Sequence, residues 1–231
     1  MNNKIIILFI LILYSICSAI SYAKSSSFGS TICDNSSLYN CYKVKKHDTW
    51  ANLFVDEDSR NLVKRINRMN TPLHTGMIIA IPENPEDLNM LDFAPFDVQI
   101  NPPGKKVIIV NFAKLAFAAY DADGYLVYWG PVSGGKGYCP DIGRRCNSPR
   151  GTFYIYEKED DGCVSTKFPV GRGGAPMPYC MFFHGGFALH GSPEVPGYNA
   201  SHGCIRMFTS DAKWLNQEFT EGEKHVTVIV K

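Results

Sequence analysis

The chain has 231 residues, 45% of them hydrophobic and 19% charged, a balance that can bury a core and excludes a disordered or low-complexity polymer. Its 23 Lys and Arg against 22 Asp and Glu leave no cationic surplus to displace counterions from a phosphate backbone, which excludes nucleic acid as a partner. In chain order, Lys4 precedes an almost wholly apolar stretch over 5–16, and small residues then lead to Ser21-Tyr22-Ala23. This three-part pattern predicts a secretory signal peptide over 1–23 cleaved after Ala23, because its apolar centre is shorter than the roughly 20 residues of a membrane span. Ile16 stands before Cys17 where a lipoprotein signal carries a small residue, so a soluble exported protein is expected.

A Ser-rich leader over 24–41 precedes a segment over 42–82 that reads strand, helix, helix, strand. Tyr42-Lys43-Val44 is extended, and Asp48 or Thr49 caps a helix with Trp50, Leu53 and Phe54 on its apolar face. A second helix places Leu62, Val63 and Ile66 on one side and breaks near Asn70-Thr71-Pro72, and Gly76 leads into a strand over 77–81 stopped by Pro82. Residues 83–96, acidic and punctuated by Pro85 and Pro95, read as a linker. Over 97–231 short β-rich runs at 107–110, 115–120, 124–129, 151–157, 181–190 and 225–230 alternate with Gly, Pro, Asn and Asp, and one helix is expected over 210–219. The fold class is therefore mainly β, a sandwich or closed sheet with one late helix, preceded by a small α+β (βααβ) domain.

Export into an oxidising compartment changes the meaning of the cysteines. Removing Cys17 from the eight present leaves an odd number, which is most simply solved by three bridges and one free thiol. Cys33/Cys41 and Cys139/Cys146 can each close a short loop, leaving Cys163/Cys180 as a third pair and Cys204 free, although six cysteines permit many other connectivities.

Cys204 lies in Ser201-His202-Gly203-Cys204-Ile205-Arg206, and His190 stands upstream at the end of an apolar run, with a Gly- and Pro-rich loop over 191–200 between them. A thiol needs a base to become a nucleophile, and a carbonyl under attack needs backbone N–H donors, so Cys204, His190 and the small Gly203 suggest acyl transfer with Gly203 and Cys204 N–H groups as the oxyanion hole. Pairing with imidazole at an electropositive turn is expected to bring the thiol pKa down to about 6. Two other readings remain open on the residues alone: zinc held by His190, His202 and Cys204 with His184, and a simply buried Cys204. Ser133-Gly134-Gly135-Lys136 lacks the spacing of a phosphate loop and reads as a turn.

Two families are resembled. Tyr42, Val44, Asp48-Thr49, Asn67, Gly76 and Ile81-Pro82 resemble the LysM module, a glycan-binding domain of cell-wall proteins, with His47 and Trp50 departing from its usual glycine and leucine. His190-Gly191-Ser192, the spacing to Ser201-His202-Gly203-Cys204-Ile205-Arg206-Met207, and the upstream 148–153 segment resemble the L,D-transpeptidase (YkuD-type) catalytic domain. That resemblance implies Cys204 as nucleophile, His190 as general base, the Gly191 carbonyl as its orienting group, Ser201 and His202 as shapers of the turn, and Gly203 with Cys204 as oxyanion donors. Arg206, Tyr179 and Met177 would border the substrate, Arg206 either binding a carboxylate or bracing the loop. The implied reaction is formation of a cysteinyl acyl-enzyme from a peptidoglycan tetrapeptide stem with release of D-alanine. Transfer to an amine follows, giving a 3–3 cross-link or attachment of an envelope protein, in the periplasm or cell envelope. No metal or organic cofactor is implied. Rival outcomes are transfer to water, making a carboxypeptidase or a hydrolase that releases attached protein, and a catalytically silent peptidoglycan-binding protein.

Overall fold

The computed structural model describes residues 27–35, 38–168 and 174–231, and the expected signal peptide lies outside them. No helix among the described residues is long and apolar enough to cross a membrane. The N-terminal layer comprises α1 (Phe28–Asn35), β1 (Tyr39–Lys43), α2 (Trp50–Leu53), α3 (Glu57–Ile66) and β2 (Ile78–Pro82), with β1 and β2 antiparallel. At the start of α2 the Asn52 N–H donates to the Thr49 hydroxyl and the Thr49 N–H donates to the Asn52 side chain, a reciprocal cap that satisfies two orphan donors. Asp56 caps α3, whose first turn is acidic and last turn basic, as the helix dipole favours. Val63 packs with Val44, Trp50, Met69 and Ile79, while Leu62 and Ile66 pack with Ala80. Buried Asn67 closes the unit by donating to the carbonyls of Val63 and Ala80 and accepting the Ala80 N–H. Part of the expected leader is instead the helix α1, tied to β1 by the Cys33–Cys41 disulfide.

The segment expected as a linker forms two 3-10 turns, Pro85–Asp87 and Met90–Phe93, laid against the large sheet. Trp129 Nε1–H donates to the Met90 carbonyl at 2.7 Å, and Leu91, Ala94 and Phe96 cover Val107, Ala118, Tyr120 and Leu126.

Beyond it run β3 (Val107–Asn111), β4 (Ala116–Tyr120), β5 (Leu126–Ser133), β6 (Gly137–Cys139), β7 (Arg144–Cys146), β8 (Gly151–Tyr154), β9 (Glu157–Lys158), β10 (Met181–His184), β11 (Phe187–Gly191), β12 (Ile205–Met207) and β13 (Thr227–Val230), with α4 (Thr209–Trp214) continuing as a π-turn Leu215–Phe219. A nine-stranded sheet has the order β8-β13-β3-β4-β5-β12-β11-β10-β9, and β6 pairs with β7 in a separate hairpin. The two edge strands, β8 and β9, are joined only through Ile155 and Tyr156, so the sheet must curl until its edges meet. Curling encloses Ile108, Val110, Phe117, Met181, Leu189, Ile205, Met207, Leu215 and Phe219, all but Phe219 fully inaccessible to solvent. The expected single run over 181–190 is two strands turning at Gly185 and Gly186, both at positive φ, a conformation that only glycine adopts cheaply twice in succession.

Arg65 of α3 joins the layers. Its guanidinium meets Asp211 of α4 through Nη2 to Oδ1 at 2.7 Å and Nη1 to Oδ2 at 3.0 Å, with a further bond to the Trp129 carbonyl at 2.6 Å. Tyr128 completes the group by donating its hydroxyl to Asp211. The Arg65 and Asp211 side chains are 8% and 0% exposed, and such burial is tolerable for charges only because each is paired and hydrogen-bonded.

Candidate active site

β11 and β12 run parallel with Leu189 opposite Ile205, His190 opposite Arg206 and Gly191 opposite Met207. Leu189, Ile205 and Met207 face the main core, whereas Ala188 and Cys204 pack on the other face with Cys163, Met177, Cys180 and Phe182. Strand alternation therefore turns His190 to the same sheet face as Ala188, which packs in the cluster with Cys204. Cys139–Cys146 and Cys163–Cys180 are disulfides like Cys33–Cys41, and Cys204 is the free cysteine among the described residues.

His190 is 6% exposed, and its Nδ1–H donates to the Gly191 carbonyl at 2.9 Å, which leaves Nε2 as the unprotonated ring nitrogen. Gly191 is glycine because of crowding: a Cβ there would lie 2.9 Å from Thr209 Cα, where α4 begins. Burial pulls the His190 pKa down to about 4, the Arg206 charge acts in the same direction, and the Gly191 hydrogen bond opposes both. Burial also pushes the Cys204 thiol up, outweighing a backbone hydrogen bond from Ala188 and the charges of Arg206 and Lys167. Burial thus acts against the expected lowering of the thiol, since desolvation favours the neutral form of Cys204 and of His190 alike.

Ser201 Oγ–H donates to the Cys204 carbonyl and accepts the Gly203 N–H at 3.0 Å. The Gly203 N–H, expected to face an oxyanion, is therefore already engaged, since Ser201 closes the turn on itself. Gly203 itself has a φ of 131°, a region L side chains rarely enter. His202 Nε2 lies 2.6 Å from Asp141 Oδ2, its ring stacks on Phe168 with centroids 4.8 Å apart, and Lys136 Nζ stands 3.7 Å from the other Asp141 oxygen. Asp141 belongs to the disulfide-closed β6–β7 insertion, so that insertion grips the turn that carries Cys204.

Of the expected substrate-side residues, Arg206 pairs with Glu194 at 3.3 Å and donates to the Glu194 carbonyl at 3.3 Å, bracing the loop. Met177 is buried in the cluster that includes Cys204, while half-buried Tyr179 packs on the main core at a φ of 57°. The ring of His184 lies against Phe153 and Phe187, at centroid distances of 4.8 and 6.3 Å. Acidic, thiol and imidazole groups cluster at Cys139, Asp141 and His202 and at Glu159, Cys163 and Cys180, but each cluster includes disulfide sulfur that offers no thiolate.

Sequence reasoning overlooked the scaffold under the turn. Ser148 Oγ accepts the Gly135 N–H at 2.9 Å and donates to the Gly203 carbonyl at 2.7 Å. Ser133 Oγ likewise donates to Tyr198 O and accepts the Ala200 N–H. A Cβ at Gly135 would sit 2.0 Å from the Cys146 carbonyl. The Ser-Gly-Gly-Lys segment read as a plain turn is this cradle, and its paired glycines were the available signal.

A family model described as the L,D-transpeptidase catalytic domain, YkuD, matches residues 105–230. YciB of Bacillus subtilis (strain 168), which carries an L,D-transpeptidase name, is 32% identical over 91 residues, covering 34% of this chain and 45% of that protein, so the match spans less than half of that relative. The crystal structure of the L,D-transpeptidase from Xylanimonas cellulosilytica is 26% identical with a TM-score of 0.52, covering 69% of this chain and 73% of that one. An L,D-transpeptidase structure from Stackebrandtia nassauensis is 21% identical with a TM-score of 0.48, covering 79% and 86%.

Proposed function

The chain belongs to the YkuD family of L,D-transpeptidase catalytic domains, and on that premise we propose that it forms an acyl-enzyme on Cys204 from peptidoglycan tetrapeptide stems and passes the acyl group to an amine. One observation carries the reading: Cys204 is a free thiol immediately before β12, the strand that pairs with the His190 strand, while the other described cysteines are bridged. His190 Nε2 takes the Cys204 proton as sulfur attacks the carbonyl carbon, and the carbonyl electron pair moves to oxygen. With the Gly203 N–H held by Ser201, the Cys204 N–H is the donor left for that oxyanion. Collapse breaks the C–N bond, the imidazolium returns its proton to departing D-alanine, and a thioester remains. An amine then attacks the thioester, its proton going to His190, and the released thiolate recovers it.

The acceptor is the side-chain amine of diaminopimelate on a second stem, or a lysine of an envelope protein. The N-terminal βααβ unit serves as a LysM-like glycan holder, and its rigid seat on the catalytic domain fixes the distance from glycan to cysteine. The disulfides support a location outside the cytoplasm, in the periplasm or cell envelope.

Purified peptidoglycan incubated with the protein or with Cys204→Ala, then digested and weighed by mass spectrometry, tests the proposal. Cross-linked dimers that disappear in Cys204→Ala are expected. Stems shortened by one alanine without dimers would reassign the acceptor to water, and identical products from both proteins would overturn the reading.

A further inference from the structure

The loop that follows His190 is held from the N-terminal unit. Asn70, just beyond α3, donates from Nδ2 to the Ser192 carbonyl at 2.8 Å. It also accepts the Val195 N–H on Oδ1 at 2.9 Å and donates its own N–H to the Val195 carbonyl at 2.9 Å. Met69 and Pro196 form an antiparallel bridge beside it. On its other side the segment is fixed by the Ser192 N–H donating to the Met207 carbonyl of β12 at 2.9 Å. Residue 193 is proline, so the Ser192–Pro193 peptide has no N–H, and its carbonyl is the one polar group by which it can be held.

We propose that Asn70 is a positioning residue of the catalytic site, acting through Ser192 on the Gly191 carbonyl that orients His190. The inference rests on the reading of His190 as general base. The Gly191–Ser192 peptide is planar, so pinning Ser192 at its N–H and at its carbonyl restricts the carbonyl that receives the His190 Nδ1–H. The same unit reaches Gly191 from a second side. Arg65 holds Asp211 on α4, and the first residue of α4, Thr209, closes against Gly191. The N-terminal unit is thus part of the catalytic apparatus and not a detachable tether, and the tautomer that leaves Nε2 free depends on it.

The test uses the full chain with Asn70→Ala and the isosteric Asn70→Asp, which keeps the acceptor for Val195 but turns an oxygen toward the Ser192 carbonyl. Three readouts are compared: the rate of Cys204 acylation by a carbapenem followed by mass, the rate of Cys204 alkylation by iodoacetamide, and the His190 ring signals in nitrogen-15 NMR. Both variants should acylate at least about tenfold more slowly and show a weakened Nδ1–H tautomer. Alkylation, which needs no oriented base, should stay within about twofold. A folded variant acylating within twofold of the parent with unchanged ring signals overturns the proposal. So does loss of folding in both variants, which would make Asn70 a purely structural residue. If the parent protein itself takes no carbapenem adduct, the proposed function fails instead, and the ring signals alone still decide whether Asn70 governs His190.

Discussion

His190 shows how a single burial decides both chemistry and stability. Its pKa is lowered from the usual 6.5 to about 4, first by desolvation, so between those values the unfolded chain binds a proton that the folded chain refuses. Stability contributed at neutral pH is therefore lost as pH falls from about 6.5 to about 4, by roughly 3 kcal/mol in all. Urea unfolding at pH 7.5 and pH 5 should show about 2 kcal/mol of this loss in the parent and a smaller one in His190→Gln. For catalysis the same shift keeps the base neutral in mild acid. Cys204 acylation should persist down to about pH 5 and fail near pH 4, whereas a preformed thiolate–imidazolium pair would already lose activity near pH 6. His190→Ala should slow acylation at least about a hundredfold at pH 7, measured by adduct formation.

At the scale of elements, the turn bearing Cys204 is held by neighbours that make no covalent contribution. Ser148 bridges the Gly135 N–H and the Gly203 carbonyl from a buried position, so Ser148→Ala leaves one half-buried and one buried backbone group without this partner. A loss of about 1–3 kcal/mol in urea unfolding is expected, with slower Cys204 acylation at unchanged overall fold. The β6–β7 hairpin is closed by Cys139–Cys146 across a separation of 7 residues and reaches the turn through Asp141 and His202. Replacing both cysteines by serine should cost about 2.5 kcal/mol in the chain-entropy account, checked by the shift of the denaturation midpoint. The α2 cap and the apolar stripes of α2 and α3 were legible because each is a local rule of spacing, whereas the Gly185-Gly186 turn that divides β10 from β11 reads as part of one strand. The strand β12 was not legible, since three residues carry no period, and α1 lay hidden in a Ser-rich stretch whose helix exists only because Ile32 and Cys33 pack against Ile66 and Ala80.

For the whole molecule, the decisive feature is that two layers share buried polar groups. Arg65 falls in the basic last turn of α3, yet its guanidinium is buried and paired with Asp211 across the interface. Asp211→Ala strands a buried guanidinium and should destabilise by about 3–5 kcal/mol, while the paired exchange Arg65→Met with Asp211→Leu should recover most of that. Denaturant unfolding of the three proteins measures the difference, and an Asp211→Ala loss below about 1 kcal/mol would show the pair to be incidental.

The amino-acid sequence alone determined the chemistry on offer: a thiol and an imidazole separated by a Gly- and Pro-rich loop, a glycine-bearing turn and a β-rich chain to carry them. These are matters of residue type and short spacing, which physics reads locally. Tertiary structure alone decided how those groups are held, because desolvation and the contacts of Asn70 and Arg65 arise between residues far apart in the chain. Burial sets the protonation of His190 and Cys204, and burial is a property of the assembled fold.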